Sequence, residues 1–408
     1  MSGYYTHEYY FYIHPPLGKL IIAGFGKLFD FQPEFSFGQI GEKFPDHTYL
    51  SLRFLPSLAG ALLPLIIFLL AIELGLSNRG AFLAGTLIAL ENALLTQSRY
   101  ILLDPFLLLF GFTGLLFYFK FRHLEVQPLS GGSTSKLLVA SIFFGLALSI
   151  KWTGLTFLAL AGLIELLTLI KTRTMAPIVR LGRLALFFVA VPLAIYFAVF
   201  AVHFSLLSQP GPGDAFMTQN FQQKNVLSKF TELNEEMYRA NKGLTATHSY
   251  GSPWYTWPLM LRPIYYWVDS DISDVAQRKI YLIGNPVIWW ASTFSILYLV
   301  SGVLYRERSA TKYKLQNTSY ILLGGWFLNL LPFIGISRVM FLYHYLTALI
   351  FAILMLAYLF DSMKKPQTAI IIMIVISAVS FAYFAPLSYS LPLEESSFQN
   401  RMWLKSWQ

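Results

Sequence analysis

Arg53, Arg99, Lys151, Arg262 and Arg338 stand at or near the ends of apolar runs in a chain that is only 12% charged. The chemistry of these residue types is anion binding, because a guanidinium fork or an ammonium makes charge-assisted hydrogen bonds to phosphate. Each also has an ordinary alternative: a long cation near a helix end snorkels to the interface and pairs with lipid headgroups or a nearby carboxylate. Asp104, five residues after Arg99, is one such carboxylate. His14, just before Pro15 and Pro16 in EYYFYIHPPLGKLIIAGFGKLF, either hydrogen-bonds a sugar or phosphate or caps a proline-started helix lying flat on a membrane. Glu91 lies well inside an apolar run, where a carboxylate is a functional candidate, with pairing to Lys151 or Arg99 as the structural alternative. Asp214, His248 and His344 are read either as loop and core groups or as direct participants.

Other chemistries lack their residues. There is no cysteine, and so no thiol nucleophile, disulfide or zinc-thiolate site. His203 and His248 are isolated, and no H-x-x-x-H falls on one helix face. There is no P-loop or dinucleotide fingerprint. No cofactor is implied, and a divalent metal is left open.

The elements that must position these groups are membrane helices. Of the 408 residues, 56% are hydrophobic and 17% aromatic, and apolar runs of about 20 residues recur along the chain, the length that spans a bilayer. They fall near 50–75, 80–98, 101–119, 137–150, 153–170, 184–204, 281–304, 318–336, 340–360 and 367–386. This predicts an all-α polytopic membrane protein with about ten spans. The net charge of +9 then reads as topology signals and anionic-lipid contacts, not as a nucleic-acid surface.

One set of connections holds Arg79; Lys120, Arg122 and Lys136; Lys171, Arg173, Arg180 and Arg183; Arg306, Arg308, Lys312 and Lys314; and Lys364 with Lys365. That side is predicted to be cytoplasmic. The five candidate cations fall on the other side, against the trend. There too lie the segment 1–49 with the HPP block and an interfacial helix, the loop 205–279, and the tail 387–408; bundles of helices occupy 50–204 and 280–386. An outer N-terminus at Met1 leads us to expect a preceding helix. PLSGGSTS at 128–135 reads as a flexible cytoplasmic loop. In the 205–279 loop, Val226, Phe230, Leu233 and Met237 recur at helical spacing with Glu232, Glu235 and Glu236 on another face, predicting an interfacial amphipathic helix. Trp254, Tyr255, Trp257, Tyr265, Tyr266 and Trp267 read mainly as an aromatic belt.

The HPPLGK block, LENALLTQSRYILLDP, SIKWTGL, SQPGPGDAFM, THSYGSPWYTWPLMLRPIYYW, GNPVIWW, SRVMFLYHYLTAL and RMWLKSW follow one another over essentially all 408 residues. In that order they resemble the protein O-mannosyltransferases, GT-C glycosyltransferases of membranes. The resemblance implies the GT-C fold, a polyprenyl-phosphate mannose donor, a Ser or Thr of a protein as acceptor, and a bilayer as the site of work. It also implies an acidic Asp-Glu pair about 20 residues before the HPP block, its Asp acting as base. Only 13 residues precede His14, so the pair and a first membrane helix are expected upstream of Met1. Tyr12 stands where the family more often has Asp. The 205–279 loop lacks the β-trefoil insert of eukaryotic members, which favours a prokaryotic type in a bacterial or archaeal plasma membrane, with the endoplasmic reticulum as the eukaryotic counterpart. The rival readings are a GT-C transferase of another polyprenyl-linked sugar, a noncatalytic membrane partner, and a transporter. Against the transporter, no Gly or Pro breaks recur in matched halves.

Overall fold

The computed structural model describes residues 2–33, 42, 44–126, 133–171, 177–269, 276–304 and 313–408. In chain order the elements are α1 (Gly3–Thr6), α2 (Leu17–Leu28), α3 (Tyr49–Glu73), α4 (Asn78–Ala89), α5 (Asn92–Ser98), α6 (Asp104–Val126), α7 (Ser133–Ile150), α8 (Leu155–Lys171), α9 (Pro177–Ala185), α10 (Val191–Leu206), α11 (Val226–Gly243), β1 (Ile264–Val268), β2 (Lys279–Leu282), α12 (Pro286–Leu304), α13 (Tyr313–Leu328), α14 (Leu346–Asp361), α15 (Pro366–Tyr389) and α16 (Glu395–Gln399). Among the described residues eight helical stretches are long and apolar enough to cross a membrane: Tyr49–Glu73, Asp104–His123, Trp152–Ile170, Leu181–Leu206, Pro286–Leu304, Thr318–Gly335, Leu342–Asp361 and Pro366–Tyr389. The chain is a multi-pass membrane protein.

The sequence suggested about ten spans, and the difference has two sources. The 80–98 run is not continuous: α4 ends at Ala89, and Glu91 turns its carboxylate onto the Ala93 N–H, capping the separate short helix α5. The 137–150 run forms α7, whose apolar part, Thr134–Ile150, is shorter than the other spans. The run near 281 also starts later, at Pro286, because Lys279–Leu282 is a strand. Arg173, Arg306, Arg308 and Lys312, and most of the PLSGGSTS stretch, lie outside the described residues.

The chain divides into two compact units. The first comprises Met1–Ser36, Phe44–Ala59 and Tyr100–Thr245. Here α6 and α7 form a hairpin, α10 packs on α7, and α11 packs on α10. The predicted amphipathic helix is α11, but its apolar face meets protein: Leu233 and Met237 are buried in one cluster with Tyr9, Phe200, Phe204 and Phe221. Each such burial contributes about 1.5–3 kcal/mol where the alternative is water. Trp152 Nε1 donates to the Tyr196 hydroxyl, which donates to Asn234 on α11. Asn225 caps the start of α11 by accepting the Ser228 N–H at 2.9 Å.

The second unit comprises Phe37–Lys43, Gly60–Arg99 and Ala246–Gln408. Its centre is α14, in which Leu346 through Leu356 and Ala357 are all buried, as a helix apolar on every face must be. α4, α12 and α13 pack around it, and α15 packs on α4 and α5. Asp361, at the end of α14, accepts the Ser77 N–H at 2.8 Å and so holds the start of α4. β1 and β2 form an antiparallel pair, Ile264 opposite Leu282, with an irregularity between Tyr265 and Trp267.

Candidate active site

In the first unit the HPP block is fixed from three sides. Pro15 and Pro16 need no hydrogen-bond acceptor and lead directly into α2. On one side, the segment before them lies along the SQPGPGD loop: Tyr9 N–H donates to the Gln209 carbonyl at 3.0 Å and Gly213 N–H to the Tyr9 carbonyl at 3.0 Å. The approach leaves no room for side chains. A Cβ on Gly211 would lie 2.3 Å from the Tyr9 carbonyl oxygen, and one on Gly213 2.5 Å from the Phe11 nitrogen. On another side, Asn241 of α11 donates to the Ile13 carbonyl at 2.9 Å, next to His14. On the third, Tyr5 donates its hydroxyl to the Ala23 carbonyl of α2 at 2.8 Å.

These ties enclose a small cavity of about 10 Å³ lined by Tyr10, Tyr12, His14, Pro16, Lys19, His203 and Leu233. That is about the space of one water-sized group, far less than a sugar. Lys19, in the first turn of α2, has its ammonium 3.3 Å from the Tyr12 ring centre and 4.8 Å from that of Tyr10. Burial draws its pKa down to about 8. Burial, with the Asp104 carboxylate adding to it, pushes the Tyr12 hydroxyl up to about 12. The His203 Nδ1 is 2.7 Å from the Tyr4 hydroxyl. The sequence reading passed over Lys19 and Tyr10. Their signal was the EYYFY run, separated from HPPLGK by Ile13 alone, which places tyrosines and a lysine around one proline turn.

Also in the first unit, Arg53 lies in the first turns of α3 among three rings. Its guanidinium carbon is 4.9 Å from the Tyr49 ring centre, 5.6 Å from Tyr100 and 5.9 Å from Phe44. Its Nε is buried with no hydrogen-bond partner among the described residues, so it holds an unused donor in an aromatic surround. Lys151 is committed instead to Asp104 at 2.7 Å, with side chains 13% and 11% exposed. Asp214 has both oxygens taken, one by the Gly211 N–H at 2.8 Å and the other by Gln222 at 2.7 Å; it is the staple of the GPGD turn.

In the second unit, Arg99 pairs with no carboxylate among the described residues; its Nη1 donates to the Ser388 carbonyl and its guanidinium lies over Tyr389 at 4.6 Å. Glu91 is fully buried and accepts the Asn285 N–H at 3.1 Å besides that of Ala93. Neither suggested cation is its partner. Arg262 spends its guanidinium on the carbonyls of Ser406, Gln408 and Ser249. Arg338 makes no hydrogen bond or ion pair among the described residues and is half-buried. His248 accepts the Tyr250 N–H at 3.1 Å, and His344 stacks between Trp257 and Tyr343 while bonding the Phe341 backbone. The aromatic cluster is only partly a belt. Trp257 is fully buried and donates to Ser252, and Tyr266 donates to Gln97 at 2.6 Å. Among the described residues no three His, Cys, Asp or Glu side chains gather where a metal ion could be held.

Comparison with known proteins agrees with this architecture. A solved structure of the S. cerevisiae protein O-mannosyltransferase Pmt1–Pmt2 complex bound to the sugar donor superposes with a TM-score of 0.91 at 20% identity, over 100% of this chain and 87% of that one. ArnT from Cupriavidus metallidurans shares the fold more loosely, with a TM-score of 0.51 at 14% identity over 88% and 51% of the two chains. In sequence, protein O-mannosyltransferase 1 of Drosophila pseudoobscura is 32% identical over 71% of this chain and 33% of its own length. The dolichyl-phosphate-mannose–protein mannosyltransferase 1 of Saccharomyces cerevisiae is 33% identical over 54% and 28%. The chain thus spans about a third of the length of these relatives. The family model described as dolichyl-phosphate-mannose-protein mannosyltransferase matches residues 1–208, the half that carries the HPP block and Arg53. The C-terminal four-helix region of protein O-mannosyltransferase matches 226–407. With a GT-C arrangement of helices and both halves matched in order, the chain belongs to the protein O-mannosyltransferase family.

Proposed function

We propose that this chain carries out protein O-mannosylation: transfer of mannose from polyprenyl-phosphate mannose to Ser or Thr hydroxyls of proteins on the outer face of the membrane. In the transfer the bond from the sugar's anomeric carbon to the phosphate oxygen breaks, the acceptor oxygen bonds to that carbon, and the acceptor proton goes to a base. The observation that supports the reading best is Arg53, whose buried Nε lacks an acceptor in the unit that also holds the HPP block. A guanidinium so placed is suited to the charge that builds on a departing phosphate. Arg338, in the second unit and without a partner among the described residues, is a separate candidate for an anion. Asp214 and Asp104 are held by Gly211, Gln222 and Lys151, and we do not assign the base to either.

The test is transfer of labelled mannose from polyprenyl-phosphate mannose to a Ser/Thr peptide, by membranes of a host that lacks the activity and expresses the protein. Label in the peptide supports the proposal. Label in a non-protein acceptor alone, or lipid or sugar flux in proteoliposomes without transfer, overturns it.

A further inference from the structure

We propose that Lys120 and Lys136 form a headgroup clamp for one anionic phospholipid, whose acyl chain lies along Phe117, Phe143 and Phe110 on the seam between α6 and α7. Asp104, whose charge acts on Tyr12 of the HPP cavity, begins α6. Lys120 stands sixteen positions further on, about 24 Å along the helix axis, so the clamp is a different place from that cavity.

The spacing of the residues builds the seam. At about 100° per residue, Phe106, Phe110, Phe117 and Lys120 share one face of α6, and Lys136 and Phe143 share one face of α7. The two faces meet: ring centres are 6.0 Å apart for Phe110 and Phe143, and 6.3 Å apart for Phe117 and Phe143, which are parallel to within 4°. Gly114 admits this approach, since a Cβ there would stand 2.6 Å from the Phe144 ring. Phe110, Phe117 and Phe143 are nonetheless only half-buried, so the seam keeps a row of uncovered ring surface.

That row ends in two cations. The Lys120 ammonium is 5.5 Å and the Lys136 ammonium 5.8 Å from the Phe117 ring centre. Both side chains are half-buried, and among the described residues neither makes an ion pair or a hydrogen bond. Two like charges at one ring repel each other, and the ring leaves their N–H donors unused. Neighbouring Arg122 gives the contrast, because its charge is met by Glu165 at 2.9 Å. Depth makes the missing anion matter. The apolar part of α7 is Thr134–Ile150, about 25 Å of helix against a hydrocarbon core of about 30 Å. With Asp104 and Lys151 paired at one boundary, Lys120 and Lys136 lie on the order of 22–24 Å from it, at the hydrocarbon edge and short of bulk water. An ammonium there without a counter-charge is costly, and the anion that the bilayer itself brings to that depth is a lipid phosphate. A net negative headgroup lowers the repulsion between the two lysines, whereas a zwitterionic one carries its own cation to the site.

The experiment titrates the purified protein in detergent with phosphatidylglycerol and follows the unfolding temperature, which rises when a ligand binds the folded form. Wild type should show a saturable rise, while phosphatidylcholine, and inorganic phosphate at matched ionic strength, give little. Lys120→Gln and Lys136→Gln should each move the midpoint about fivefold to higher lipid concentration, and the double variant about twentyfold. Lys120→Arg, which keeps the charge, should stay near wild type. So should Lys364→Gln, at an exposed lysine of the second unit. A photoreactive acyl chain on phosphatidylglycerol should label α6 and α7 peptides of the wild-type protein, a reading that needs no variant. Wild-type midpoints in both Lys120→Gln and Lys136→Gln overturn the clamp. An equal shift in Lys364→Gln does so too, by making the effect one of overall charge. Equal stabilisation by phosphatidylcholine removes the selection for an anionic lipid, and by inorganic phosphate the lipid itself; either result overturns the proposal. Label confined to other helices overturns it whether or not the variants fold.

Discussion

The Lys151 ammonium and the Asp104 carboxylate meet at 2.7 Å, joining the turn after α7 to the first residue of α6. Both side chains are nearly out of solvent, and each is the other's counter-charge. Removing one leaves a buried ion unpaired, whereas removing both removes the problem as well as the bond. Asp104→Asn and Lys151→Met should therefore each destabilise the protein by about 3 kcal/mol. The double variant should recover a good part of that. Thermal unfolding in detergent, read as the loss of monodisperse protein, measures it; additive losses in the double variant would show that the two residues do not act as a pair.

Arg53 and Arg338 should behave differently from Arg262. Replacing either of the first two by Ala is expected to lower kcat/KM for polyprenyl-phosphate mannose about ten- to a hundredfold, the worth of a charge-assisted bond of roughly 1.5–3 kcal/mol. Lys should restore only part, since it keeps the charge and loses the planar fork. Arg338→Ala should leave the unfolding temperature nearly unchanged, having no partner to lose among the described residues. Arg262→Ala should instead free the segment that ends at Ser406 and Gln408, seen as faster proteolysis there. Near-wild-type efficiency in both Arg53→Ala and Arg338→Ala would mean that the donor phosphate is held elsewhere.

The pH dependence follows from Lys19. Its pKa in the folded protein is about 8 against an ordinary 10.5. Between those values the unfolded chain holds the proton and the folded protein does not, so stability rises with pH across that window and its penalty is fully present below about 8. His14, His203, Tyr10 and Tyr12 share the cavity and Asp104 acts on Tyr12. Lys19→Met separates their contributions, because a limb near pH 8 that survives in it cannot come from Lys19.

Orientation can be read directly, since the chain contains no cysteine. Ser208→Cys should react with an impermeant thiol reagent in intact cells and Thr174→Cys should not, if the sparse-cation side faces out. The reverse pattern would turn the proposed site to the cytoplasm.

Much of this architecture was legible beforehand because a bilayer imposes lengths that sequence displays openly. The proline start of α2 and the three-to-four spacing in α11 are local signals and were read correctly as helices. What could not be read were pairings set by distant chain. Asp104 had Arg99 five residues away, yet its partner is Lys151, 47 residues on. Arg262 looked like a phosphate cation until the carbonyls of residues 144 and 146 positions away took its donors. Glu91 suggested an ion pair, but backbone N–H groups satisfy it, and a periodicity argument sees no backbone donors. Of the candidate site, His14 and Arg53 were visible from type and place, and they lie in one compact unit. Lys19 was hidden because a lysine on a short amphipathic helix ordinarily reaches toward water.

The bridge between Glu8 and Gln209 sets an order on biosynthesis. Its two strands lie about 200 residues apart, so at roughly 5–20 residues per second the first waits on the order of ten to forty seconds for the second to be made. Gly211 and Gly213 can press against Tyr9 and Phe11 only after α10 has been inserted. Through that interval the tyrosine-rich start of the chain has unmatched backbone donors and exposed rings, the condition in which nascent segments bind chaperones or pair wrongly. The HPP block is thus translated early and assembled late, and a substitution at Gly211 or Gly213 should show itself first as poor biogenesis, before any loss in the matured enzyme.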